Sequence, residues 1–239
     1  MGVNLKGEAA GRSLIVSSTA SLAALHALLS VMPGVWRRWS IVLEALEGFV
    51  AGPTGGAAAA FAGALVGRAL KPDAFMVENF FGFAEGVGAL GAGLMAKGRW
   101  RHVALLYIVL LGAFLVHPVA RIVPLWTLWD IYLAFTVLVA SGLLFKGLFN
   151  RGDPKGLTLR VGVTAFIAVE LDVLFRIFML IPLGLYRLYP IPLELMPEIF
   201  IAGAFTTPLE AGYTVAISSV IGPAVLMALN KSGIRWPIT

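Results

Sequence analysis

The chain has 239 residues, 59% hydrophobic and 13% charged, with a mean hydropathy of +0.90. Soluble domains average about a quarter charged residues, and one core of this length has no room for so much apolar surface. That excludes a soluble globular domain, a disordered chain and a nucleic-acid module. The net charge of +5 and pI near 9.7 then read as basic loops beside a membrane. With no cysteine, disulfides, thiolate nucleophiles and cysteine-bound metals are excluded too. The composition predicts an all-α, polytopic transmembrane helical bundle of six to eight membrane segments, one integral membrane domain over residues 1–239.

The first apolar stretch runs from Ser13 to Met32 and ends at Pro33-Gly34, a strong helix stop. No A-x-A-type cleavage site follows, so it is expected to remain as the first helix. Trp36, Arg37, Arg38 and Trp39 are residue types of the headgroup layer. The next block, Ile41 to Leu70, is interrupted by Gly52-Pro53-Thr54-Gly55-Gly56. That cluster breaks helices and predicts two segments, Ile41–Ala51 and Gly56–Leu70, as a broken or re-entrant pair at 41–70 that returns to the side it left. Residues 71–79 form a loop. Further segments are expected at Phe80–Ala96, Val103–Ala120, Trp126–Leu148, Leu157–Tyr186 and Glu198–Leu229, the last with kinks at Pro208 and Pro223. Eight segments put both termini on one side. With both termini cytoplasmic, the inner side carries Lys6, Arg12, Lys97, Arg99, Arg101, Lys146, Arg151, Lys155, Arg160, Lys231 and Arg235. The outer side carries Arg37, Arg38, Arg68, Lys71, Arg121 and Arg187. Eleven against six favours that orientation in the cell membrane.

Two small-residue patterns stand out. Ala20/Ala24 and Ala23/Ala27 are small-xxx-small pairs on the first helix, a spacing that serves either docking of another membrane subunit or internal packing. Gly52/Gly56 and Gly63/Gly67 repeat that spacing around the Gly-Pro turn. No G-K-[ST] follows, so this is no phosphate-binding loop.

An A-x-x-x-A helix, an aromatic loop, a short helix, Gly-Pro-x-x-Gly, a small-residue helix ending Gly-Ala-x-x-Gly-Arg, and a further helix closing on Lys97-Gly98 follow in order. Over residues 13–98 this resembles the substrate-binding S components of energy-coupling factor (ECF) vitamin transporters. That family usually has six helices, whereas four segments remain here after residue 98. The resemblance implies a binder of a vitamin-like small molecule, with no catalysis and no cofactor. It implies docking of Ala20 and Ala24 on a transmembrane T subunit served by paired ATPases. Trp36 and Trp39 match the gating loop in position, and the Glu78-Asn79 region would contribute to the pocket. Metal-type members begin with a histidine-bearing terminus, whereas this chain begins Met1-Gly2-Val3-Asn4, which argues against cobalt or nickel.

Ionisable groups at membrane depth are functional candidates, since each costs at least about 2.5 kcal/mol there. Glu44 and Glu47 share a face of the short second helix. Glu85, Glu170 and Glu210 lie on three different helices and are placed to converge. Asp130 stands beside Trp129. Asp172 and Arg176, four apart, read as a self-neutralising pair from which Glu170 points away. Carboxylates with tryptophans would suit a cationic or aromatic ligand; their alternative is interhelical hydrogen bonding. The candidate substrate-binding set is therefore Trp36, Trp39, Glu47, Glu78, Asn79, Glu85, Asp130, Glu170 and Glu210. His26 and His117 each stand alone on apolar faces and read as packed residues. No H-E-x-x-H, G-x-S-x-G or D-D-x-x-D motif supports catalysis or a metal. The expected partners are membrane lipid, a small-molecule substrate, and the T subunit with its ATPases. The rival readings are a channel or secondary transporter using the Gly52–Gly56 break, and a membrane-embedded enzyme acting on lipid.

Overall fold

A computed structural model describes residues 5–71, 76–144, 154–189, 191–234 and 236, with backbone alone for 5–12, 76–79, 144 and 154. Among them are the helices α1 (Leu5–Val31), α2 (Glu44–Ala69), α3 (Met76–Ala96), α4 (Trp100–Val116), α5 (Trp129–Leu144), α6 (Pro154–Leu180), the single turn α7 (Leu185–Leu188) and α8 (Met196–Lys231). No strand occurs among the described residues. Among the described residues, four stretches are by length and composition apolar enough to cross a membrane: Ser13–Val31, Trp39–Ala69, Leu125–Leu143 and Leu193–Lys231. Phe80–Ala96 and Trp100–Val116 are apolar but shorter.

The break in α2 is a reversal. Gly52 has φ 74° and ψ −176°, a region open essentially only to glycine. Pro53 follows and restarts the helix, three residues earlier than the expected Gly56. In a straight helix the eight or nine residues from Gly56 back to Gly48 or Glu47 would span about 12–14 Å. Instead, a Cβ at Gly56 would stand 2.8 Å from the Glu47 carbonyl and 2.9 Å from Gly48 Cα. Residues 44–51 and 53–69 therefore lie side by side, and the chain returns toward the end it came from.

Small residues let the neighbouring helices close around this hairpin, as membrane packing requires. Along α1, Thr19 meets Gly55, His26 meets Gly63 and Ser30 meets Gly67, so α1 runs parallel to 53–69. Along α3, Gly82 meets Ala64 and Gly86 meets Ala57, which makes that pair antiparallel. Gly93 of α3 seats against Gly52 and Pro53. Ala23 and Ala27 thus face inward: the Ala23 carbonyl lies 2.6 Å from a Cβ placed on Gly63, and Ala27 is buried beside Gly67. Both pack against the 53–69 helix. Ala20 and Ala24 are exposed.

The second half of the bundle surrounds α6, whose residues 167–174 are all buried. Tyr107 of α4 donates from its hydroxyl to the Ile167 carbonyl at 2.7 Å, and Trp129 Nε1 donates to the Ala204 carbonyl at 3.0 Å. Phe114 stacks on Phe200 at 5.8 Å. α8 continues as one helix of 36 residues through Pro208 and Pro223. Its outward side chains are apolar, with Phe205, Leu209 and Val220 exposed, as are Leu105, Ile108 and Val116 on α4. Such a surface suits lipid.

The bundle has two distinguishable ends. Trp236, Phe49, Leu14 and Leu157 cluster near the Gly52 reversal, so the described portions of both termini lie at that end. The 33–38 loop, the end of 53–69 and the start of α3 lie at the other, the Arg37 end.

Candidate binding site

At the Arg37 end the 33–38 loop dips into the bundle. Trp36 keeps the exposure of a headgroup-layer residue. Arg37 does not: it is 5% exposed, held between α6 and α8. Its Nε donates to Glu210 at 2.6 Å and its Nη1 donates to Asp172 at 2.8 Å and to the Val169 carbonyl at 3.1 Å. The backbone N–H groups of Trp36 and Arg37 also donate to Glu210, at 2.6 and 2.7 Å. One carboxylate of α8 thereby pins the loop. Burial disfavours the charge on Arg37, but Asp172 and then Glu210 outweigh it and hold the guanidinium protonated above its ordinary range.

Glu85 of α3 is the second hub. It accepts from Arg68, from Ser40 Oγ at 2.5 Å and from Arg176 at 3.5 Å. His26 bridges two carboxylates, with Nδ1 2.8 Å from Glu47 and Nε2 2.8 Å from Glu85. An imidazolium, with two N–H donors, satisfies that arrangement. The Asp172–Arg176 pair forms as expected, at 2.9 Å. It is not self-contained, because Asp172 also takes Arg37 and Arg176 also reaches Glu85. One ionic network therefore ties α1, α2, α3, α6, α8 and the 33–38 loop together.

This arrangement changes the role of most predicted site residues. A cavity of about 440 Å³ opens at the Arg37 end, and among the described residues its charged wall is made of Arg37, Arg38, Arg68, Arg176 and Asp130. Trp36 lines this cavity too. Glu47, Glu85 and Glu210 do not line it; they sit behind the guanidiniums as their counter-ions. Trp39 turns inward to pack on Tyr213, with centroids 5.0 Å apart. Glu170 is fully buried, lines neither this cavity nor the second one, and has no hydrogen-bond partner on either oxygen. Glu44, aimed at Gly88, is likewise unpartnered. The side chains of Glu78 and Asn79 lie outside the described residues. The expected surface of carboxylates is replaced by one of guanidiniums.

Asp130 accepts from the Thr207 hydroxyl and from the Ile131 N–H at 2.9 Å. It also borders a second, more open cavity of about 730 Å³ between α5, α6 and α8. Neither cavity takes a wall from residues 52–56. His117 caps a 3₁₀ turn by accepting the Val119 N–H at 3.2 Å, a structural role. Among the described residues no group of three or more His, Cys, Asp or Glu side chains is placed to hold a metal.

Sequence reasoning missed Arg37 and Arg68 as site residues. A signal was present, since an arginine four positions before a predicted membrane segment, or in the last turn of one, needs a partner once buried. No family model matches the chain, and neither the curated proteins nor the solved structures contain a match.

Proposed function

We propose that this protein is a membrane-embedded small-molecule binding and transport subunit, resembling an ECF S component. It captures a vitamin-like substrate from outside and passes it to a T subunit driven by ATPases. The observation that carries the reading is the cavity at the Arg37 end, of a size typical for ligand sites, about 300–1,000 Å³, and bordered by apolar walls with a few convergent polar groups. In this reading all eight segments are embedded in the cell membrane and both termini are cytoplasmic. The basic-residue bias supports that orientation. Arg37 and Arg68, two of the six cations assigned outside, are spent on internal ion pairs, which leaves the outer surface poorer still in positive charge. The exposed Ala20/Ala24 face is the docking surface. The rival transporter or channel reading needs a polar site at Gly52–Gly56, where Gly52 and Pro53 seat against Gly93 of α3 and neither cavity takes a wall.

Gly203 provides the test. It lines the cavity, and a Cβ there would meet nothing within 4 Å. Native mass spectrometry of the purified protein should find a small molecule retained one per chain, and Gly203→Phe should lose it while the protein stays folded. Retention by Gly203→Phe as by wild type would refute the site.

A further inference from the structure

The geometry points to an organic anion as the ligand of this cavity: a carboxylate or similar acidic head on an apolar body. This rests on the binding reading above and specifies its substrate class, in the opposite sense to the cationic ligand that the sequence suggests.

Among the described residues, four guanidiniums and a single carboxylate border the space. The carboxylates that balance them stand on the far side: Glu85 against Arg68 and Arg176, Asp172 against Arg37 and Arg176, Glu210 against Arg37. A molecule in the cavity therefore meets N–H donors first. Asp130, the lining carboxylate among the described residues, already accepts from Thr207 and the Ile131 backbone. The donors are not used up. Arg37 Nη2 and Arg68 Nε and Nη1 have no acceptor, although Arg37 and Arg68 are 5% and 3% exposed. Buried donors of this kind are costly to leave unmade, and a guanidinium fork matches a carboxylate in a bidentate pair. Much of the remaining wall is apolar, with Leu128, Ile177 and Phe200 among it, and Phe81 lies under the Arg176 guanidinium at 5.8 Å. A compact acidic head fits the guanidiniums and a hydrophobic body fits the apolar lining. Because the cations are held in place by their own counter-ions, the head meets a preorganised donor set.

The test uses the full-length protein in a neutral detergent and a panel of aryl and alkyl carboxylates, each matched by its primary amide and amine on the same skeleton. Thermal shift and calorimetry rank the three heads. Carboxylates should bind at least tenfold more tightly than their amides, and the amines should bind worst. Arg68→Lys keeps the charge but loses the fork, and should weaken carboxylate binding about tenfold. Gly203→Phe leaves the ion network untouched and should abolish binding, which guards against an arginine variant that fails to fold. Amides or amines binding as well as carboxylates, with Gly203→Phe still blocking them, would overturn the anion assignment and leave the binding site standing. No panel member bound by the wild-type protein would overturn the anion assignment on its own. Loss of the retained molecule's dependence on Gly203 would overturn the binding reading as well. A further arm titrates the best carboxylate against protein in nanodiscs of phosphatidylglycerol or of phosphatidylcholine. Competition by phosphatidylglycerol alone identifies the acidic head as a lipid's, whereas equal binding in both identifies a free solute.

Discussion

Gly52→Ala tests the reversal on which the bundle is built. At φ 74° and ψ −176° an L-alanine Cβ clashes with its own backbone, at a cost of about 1–3 kcal/mol. The chain has a natural control in Gly112. It lies within α4, and a Cβ there would meet nothing within 4 Å. Gly112→Ala should gain about 0.5–1 kcal/mol of helix propensity. The two substitutions add the same methyl group, yet their stabilities should differ by about 1.5–4 kcal/mol, the sum of those two ranges. Unfolding in mixed micelles of maltoside and SDS, followed by tryptophan fluorescence and far-UV circular dichroism, measures the difference. Equal midpoints would mean that residue 52 is free to adopt helical dihedrals. The straight α2 that this allows would carry Glu47 away from Gly56 and break the alternation of helix directions.

Two further comparisons address the interior and the outer face. Glu85→Gln removes the anion shared by Arg68, Arg176 and His26 and should cost about 3–5 kcal/mol; Glu170→Gln replaces an unpartnered carboxyl by an amide of the same shape and should change stability by no more than about 1 kcal/mol, with ligand binding intact. Thermal unfolding of the two variants side by side decides this, and similar losses would show that Glu170 has a partner the geometry does not reveal. Ala24→Trp, on the exposed face of α1, should leave folding and ligand binding unchanged but abolish uptake in cells, whereas Ala27→Trp, buried beside Gly67, should prevent the folded state altogether. Undiminished uptake by Ala24→Trp would remove the docking face.

The parts of this fold that were legible in the sequence are those set by one residue's own chemistry. Gly52-Pro53 announces a break because neither residue supports an uninterrupted helix, and the structure turns there. The apolar stretches announce helices because a chain in lipid must satisfy its hydrogen bonds within each segment. Helix ends near the 3₁₀ turns were less legible. The expected Trp126–Leu148 begins as a 3₁₀ turn over Leu125–Leu128 before α5, and the expected Val103–Ala120 is already helical from Trp100 and stops at Val116. Nothing in periodicity distinguishes these conformations where Pro118 and Pro124 interrupt.

Ion pairing was illegible for a different reason. The spacing of Asp172 and Arg176 predicts their contact because both lie on one helix. The contacts of Arg37 with Asp172 and Glu210 join positions 135 and 173 residues apart, and no local pattern carries them. Carboxylates counted along the chain therefore suggested an acidic pocket. Every buried carboxylate must nevertheless find a donor or go without, and the side of each pair that faces the empty space depends on which helix brings the longer side chain. Glutamate on α3 and α8 is short and stays near its own backbone; arginine on α2, α6 and the 33–38 loop is long and crosses the gap to reach it. The guanidiniums end up in front and the carboxylates behind. The polarity of the cavity follows from side-chain reach rather than from the excess of acidic residues in the membrane segments.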